Sequence, residues 1–401
     1  MKMVTYPHTI DDTDARGRQR NINKRGICAQ EVQQEALDVL DTTLKIYRSP
    51  EASYDKDSVV SVLLYAAATS SAMESAGRSL QDSPSPNTVR LSLKDSTIEG
   101  VESQLNKALV SRGVKGLLLH PREVAIDLKY IPYYGEPKEG EEDFIWRSKA
   151  YKGTTRFFVY ATCYVIKKGK RFTLALRACR KSEGLLGALK WLLRRFFNVG
   201  GKLICLYLDR GFYSVKILRF LIKKKDIPLC MAAPQKGKED GNGLKALVAQ
   251  KGPGVHPYTV SSKEDGRIAV QVAVVGRYLK GRWGKHKEHF AFVIHRFPFK
   301  LKALFEKYRG RFGIETSHRI MEKARPCTTS KSAMLRLLWV GLGFLLHNLW
   351  VWLRWACVSL PRRGGRVILD RWFGFFRFLS FLRRAIEARY TVVEEIVIQP
   401  P

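Results

Sequence analysis

Leu304–Lys323 reads LFEKYRGRFGIETSHRIMEK. At 3.6 residues per turn, the steps of three, four and seven between Tyr308, Arg311, Glu315 and Glu322 put an aromatic, a guanidinium and two carboxylates on one helix face. Phe305, Phe312 and Ile320 supply a separate apolar stripe, so the charged face is expected to look at water, a cation or a partner. Taken alone, such a face reads first as a solvated surface with an Arg311–Glu315 pair worth about 0.2–0.5 kcal/mol. Two aspartates upstream weigh against that plain reading. Asp127 lies inside the apolar run VAIDLKYIPYYGE, and Asp209 ends the run LICLYLDRGFYS. A carboxylate in or at the end of an apolar strand is costly unless it is paired, hydrogen-bonded or holding a metal. Glu123, Glu136, Glu139 and the run Glu141–Asp143 compete with Asp127, but only Asp127 sits within the apolar run.

The chain has 401 residues, 45% of them hydrophobic, enough to bury sizeable cores in about two or three domains. Its 70 Lys and Arg against 37 Asp and Glu leave a net charge of +33. That excess implies a polyanionic partner, and double-stranded DNA is the expected one. Seven scattered cysteines without a CxxC pair suggest neither a zinc site nor a disulfide framework. They point to a reducing setting, and the first residues lack the apolar core of a signal peptide. A cytoplasmic, nucleoid-associated location is expected. Leu337–Leu353, LLWVGLGFLLHNLWVWL, approaches the length of a membrane span, yet His347 and Asn348 would be expensive in lipid. A buried helix and no membrane partner are therefore expected.

In chain order, residues 1–28 are polar and without period and read as a flexible arm. Residues 29–115 read as helical: Val32, Ala36, Leu37, Leu40 and Leu44 define one amphipathic face, and Ile98, Val101, Leu105 and Leu109 another. Between them, a short helix over 71–81, a Ser-Pro-Ser-Pro break and a second short helix from Pro86 have the layout of a helix-turn-helix. Such a unit would present Asn87, Thr88 and Arg90 to base edges, though short helices around a proline turn also occur as plain packing units. Strand-like runs follow at 124–130, 154–166 and 171–179, then a helix (182–197), a strand (203–208), a helix (214–224) and a strand (227–233). Strands in hairpin order that then alternate with helices indicate a mixed sheet flanked by helices. Residues 234–298 are β-rich, and residues 361–401 are basic and helical. Trp283 sits there among Arg277, Lys280, Arg282, Lys285 and Lys287, where it could stack on a DNA base or simply anchor a loop.

The D…DRGFY…YRGRFGIE pattern resembles the catalytic core of insertion-sequence DDE transposases, the branch whose third acid lies in a Tyr-x-x-Arg-x-x-x-Glu signature. The resemblance spans roughly residues 123–323. It implies a ribonuclease H-like domain over 120–233 and 299–360, interrupted by a β-rich insertion at 234–298. It also implies that Asp127, Asp209 and Glu315 are the catalytic acids and hold two Mg²⁺ ions, for which Mn²⁺ can substitute. Tyr308 and Arg311 would contact the phosphate beside the scissile bond. The basic residue usual seven positions after the glutamate is here Glu322, which leaves Arg319 and Lys323 to share that contact. The implied function is metal-dependent cleavage at the ends of a mobile element and joining to target DNA, in a homodimer or larger complex. Two other readings stay open: a ribonuclease H-like endonuclease that cuts without joining, and a non-catalytic DNA-binding protein.

Overall fold

The computed structural model describes residues 26–47, 53–167, 170–281, 284–363, 365–369 and 371–395. Most of the expected N-terminal arm, residues 1–25, lies outside the described residues, as does the end of the C-terminal region, residues 396–401. Five helices come first, α1 (Ala29–Thr43), α2 (Lys56–Thr69), α3 (Met73–Arg78), α4 (Pro86–Leu91) and α5 (Ile98–Leu109), followed by the short α6 (Val114–Leu118). Three of them, α2, α4 and α5, are started by a side-chain cap. The Asp55 carboxylate accepts from the Ser58 amide, the Ser85 hydroxyl from Thr88, and the Thr97 hydroxyl from Gly100.

The sheet begins with β1 (Arg122–Pro132), β2 (Ile145–Tyr151), β3 (Thr154–Val165) and β4 (Thr173–Ala178). Helix α7 (Gly184–Asn198) leads to β5 (Leu203–Leu208), and α8 (Val215–Leu218), widened into a π-helical turn through Lys224, leads to β6 (Leu229–Ala232). After α9 (Leu244–Lys251) come β7 (Gly254–Ser262), β8 (Gly266–Gly281) and β9 (Gly284–His295). Strand order is β2-β3-β1-β5-β6-β9-β8-β7, with β4 sharing the outer edge of β3. Strand β1 runs antiparallel to β3 and parallel to β5, and β5 runs parallel to β6. This is the mixed ribonuclease H-like arrangement expected from the order of elements.

Two features of the sheet were not anticipated. Strand β2 is polar beyond Trp146 and carries no alternation that sequence could register; it exists because it pairs with the start of β3. The β-rich insertion continues the main sheet, since β9 pairs antiparallel with β6. Strands β8 and β9 also run further than their apolar stretches, pairing out to Gly281 and Gly284, because ladder hydrogen bonds come from the backbone and need no apolar side chain.

The remaining helices are α10 (Leu304–Arg309), α11 (Gly313–Glu322), α12 (Ala333–Cys357) and α13 (Phe375–Tyr390), with a small β10 (Ser359–Arg362) and β11 (Gly365–Ile368) hairpin between the last two. By length and composition α12 could cross a membrane, but 89% of its apolar window is buried inside the protein. Of its polar pair, Asn348 has work there. Asn348 donates to the carbonyls of Leu109 and Thr173 and accepts from the Thr173 amide at 3.0 Å. From α5, Asn106 exchanges two hydrogen bonds with Leu176, and Glu102 accepts from the Ala178 amide. Side chains from two helices therefore complete the open edge of β4, which would otherwise expose unpaired backbone groups.

Candidate active site

The register of the sheet brings the two aspartates together. Ile126 of β1 pairs with Leu208 of the parallel strand β5, so Asp127 and Asp209 are the next residues on adjacent strands. Asp127 also sits opposite Thr162 on β3. The third acid arrives on α11, which Gly310 and Gly313 let close onto the sheet. A Cβ on Gly313 would meet the Tyr164 hydroxyl at 2.6 Å, and one on Gly310 would meet Ile166 at 3.2 Å. His318, one turn beyond Glu315, is buried and hydrogen-bonds Thr162 at 2.9 Å, fastening α11 beside Asp127. Burial holds the His318 imidazole down to about 3, so it is neutral and acts as a tether.

The signature segment is not one regular helix. Between α10 and α11 the chain tightens into a 3-10 turn over Gly310–Phe312. Around that turn, and not beyond it, the expected inside and outside exchange places: Glu315 and Glu322 stay exposed, and Phe305 and Ile320 stay half-buried against the core. Arg311 is 4% exposed and Tyr308 is buried, whereas Phe312, expected on the apolar stripe, is 45% exposed. The polar side packs inward because partners wait for it there. Tyr308 lies against Phe292, and its hydroxyl donates to the carbonyl of Leu208, immediately before Asp209. Tyr308, expected at the DNA, is buried here and supports the end of the strand that carries the second acid.

Arg311 meets all three acids. One terminal nitrogen lies 3.1 Å from Asp127 Oδ2, and the other lies 3.0 Å from Glu315 Oε1 and 3.9 Å from Asp209 Oδ1. Because Asp209 and Glu315 share one nitrogen, those oxygens are no more than roughly 7 Å apart, a span that ions about 4 Å apart can bridge. The acids grade outward, with side chains 13% exposed at Asp127, 39% at Asp209 and 57% at Glu315. Burial pushes the Asp127 carboxyl up to about 6; Arg311 and the Leu128 amide counteract this, while Asp209 and Glu315 reinforce it. Arg311 departs in the direction of firmer protonation. Burial works against its charge, but Tyr308 and the three carboxylates together outweigh that.

These acids are hard oxygen donors that converge on one point and open to solvent through Asp209 and Glu315, a donor set suited to Mg²⁺ or Mn²⁺. Among the described residues no three such side chains are close enough to ligate an ion as they stand. The guanidinium of Arg311 stands at the point where they converge. The donor chemistry fits, with Arg311 in the position a cation would take.

The other expected residues are more dispersed. Glu322 pairs with Lys129, two residues after Asp127, at 2.6 Å. Arg319 is exposed and makes no ion pair among the described residues, and the Lys323 ammonium lies over the Phe376 ring at 4.2 Å. Asn87 is exposed on α4, Thr88 shares a hydrogen bond with Ser85, and Arg90 is paired with Glu74 of α3. Trp283 lies outside the described residues. Glu123, the competitor of Asp127, is bound by Lys307 and by the Tyr207 hydroxyl, each at 2.7 Å. Sequence reasoning missed Thr162, His318 and Lys129. Only strand register reveals Thr162, whereas Lys129 two residues after Asp127 on one strand and His318 one turn after Glu315 were usable spacings.

No protein-family model and no curated protein matches this sequence. Among solved structures, the chain resembles a piggyBac transposase synaptic complex with hairpin DNA. The TM-score is 0.51 at 10% identity, covering 92% of this chain and 83% of that one. At that identity the likeness is one of fold.

Proposed function

We propose that this protein is a DNA transposase of the DDE type, which cleaves DNA at the ends of its element and joins them to a target. The observation that carries the reading is the convergence of Asp127, Asp209 and Glu315 on Arg311 over the adjacent interior strands β1 and β5 of the sheet. Likeness in fold to a piggyBac transposase supports it, as does a net charge of +33. Asp127, Asp209 and Glu315 would be the residues that hold the divalent ions. When bound, divalent ions would supply Lewis acidity on both sides of a scissile phosphate. The chain's own residues align the parts. Tyr308 braces the β5 end behind Asp209, the His318–Thr162 bond fixes α11, and Arg319 on α11 and Lys323 just after it would meet the DNA backbone. The active assembly would hold two element ends and so at least two protomers.

The test is incubation of purified protein with Mg²⁺ and DNA flanking its own gene, with and without pre-cleaved ends. Wild type should cleave and join, while Asp127→Asn, Asp209→Asn and Glu315→Gln should each lose cleavage and keep binding. Cleavage without joining of pre-cleaved ends would favour an endonuclease. Cleavage undiminished in any one variant removes that residue from the site.

A further inference from the structure

We propose that Arg311 is the resident cation of the unliganded site, so that the guanidinium and a divalent ion exclude one another and metal enters only after DNA draws Arg311 away. The inference rests on the transposase reading and concerns how its site is loaded. Three carboxylates facing one arginine leave the cluster at a net charge near −2, a strong attraction for any cation. Lys129 does not relieve it, being paired with Glu322 at 2.6 Å. Arg311 satisfies the cluster in part, reaching each acid through a terminal nitrogen. A second cation among the same oxygens would stand within a few ångströms of a group that is always charged.

The way Arg311 is fastened suits release. Its Nε is buried and makes no hydrogen bond among the described residues, so the polar contacts seen there hold the side chain at its tip. The rings of Tyr308 and Phe312 lie alongside, with centroids 5.3 and 5.1 Å from the guanidinium carbon, and Phe312 opens to solvent. A phosphate offers two acceptor oxygens in the forked geometry that a guanidinium matches, and it would arrive on the exposed side of Glu315 and Asp209. Moving the tip from carboxylates to phosphate unites the carboxylates for metal and clamps the DNA in one motion. Arg311 is then a positioning residue for metal entry as well as the phosphate contact expected from sequence.

The experiment measures Mn²⁺ binding to the full-length protein by electron paramagnetic resonance of the free ion, with Asp127→Asn as the reference for binding at this site. Without DNA, wild type should bind Mn²⁺ at least tenfold more weakly than Arg311→Ala. Adding duplex DNA flanking its own gene should tighten wild type and leave Arg311→Ala little changed. Thermal unfolding gives a second readout: Arg311→Ala should melt lower than wild type and be restored by Mn²⁺, while wild type without DNA should not respond. Should Arg311→Ala not fold, Arg311→Gln takes its place in both measurements. Equal or weaker Mn²⁺ affinity in the arginine variant overturns the inference. If wild type alone already binds Mn²⁺ tightly and Asp127→Asn abolishes this, the metal reading survives while the exclusion does not. If no protein binds Mn²⁺ in an Asp127-dependent way, with or without DNA, both are overturned.

Discussion

Asp127→Asn should stabilise the metal-free protein at neutral pH while abolishing the chemistry. In the fold, burial lifts the Asp127 carboxyl to about 6, against an ordinary value near 4 in the unfolded chain. Between those values the folded state holds a proton that the unfolded state has released, so stability falls as pH rises through that window. About two units correspond to roughly 3 kcal/mol, fully developed above pH 6 and absent below about pH 4. Asparagine resembles the neutral acid at every pH and escapes this cost. The variant should therefore exceed wild type by roughly 3 kcal/mol near pH 7.5, or about 3–4 °C in melting temperature for a chain of this length. The gap should close near pH 4. His318 and His347, both held down to about 3 by burial, destabilise the fold as pH falls below about 6.5. They act equally in both proteins, so the difference between the two unfolding curves is the readout. Urea unfolding in EDTA at several pH values measures it. A variant less stable than wild type at pH 7.5 would show that the Arg311 pair outweighs burial, and a gap that persists on acidification would mean another group is responsible.

Two further substitutions probe what surrounds the site. Asn348→Leu removes three hydrogen bonds and leaves the Thr173 amide and carbonyl without that partner, so chemical unfolding should register a loss of about 2–4 kcal/mol. His318→Leu leaves the Thr162 hydroxyl without its imidazole partner at a cost of about 1–3 kcal/mol. Because the same bond holds α11 over Asp127, DNA cleavage by that variant should drop at temperatures where the fold is intact; undiminished cleavage there would show that α11 is positioned without it.

The β-core was legible because its strands are largely buried and read as apolar runs: residues 124–130 and 203–208 lie in observed strands, and 154–166 overruns its strand by one residue. The two aspartates stood out for the same reason, as charges where an apolar run leaves no cheap place for one. Strand β2 was hidden because its exposed residues follow the pairing of β3 and no pattern of their own. The direction of Arg311 was hidden for a different reason. Periodicity identifies which residues share a face, and the rule that apolar faces turn inward then assigns the inside. That rule fails where the interior already holds charge. Asp127 placed a carboxylate beneath α11, and an unpaired buried carboxylate costs more than leaving Phe312 in water, so the arginine packed and the phenylalanine did not. In a chain with a strand carboxylate and a downstream Tyr/Arg/Glu helix, the arginine rather than the phenyl group is therefore the residue to place against the sheet. Whatever displaces that arginine must offer it an anion in exchange, which is why its release and the arrival of a phosphate belong to one event.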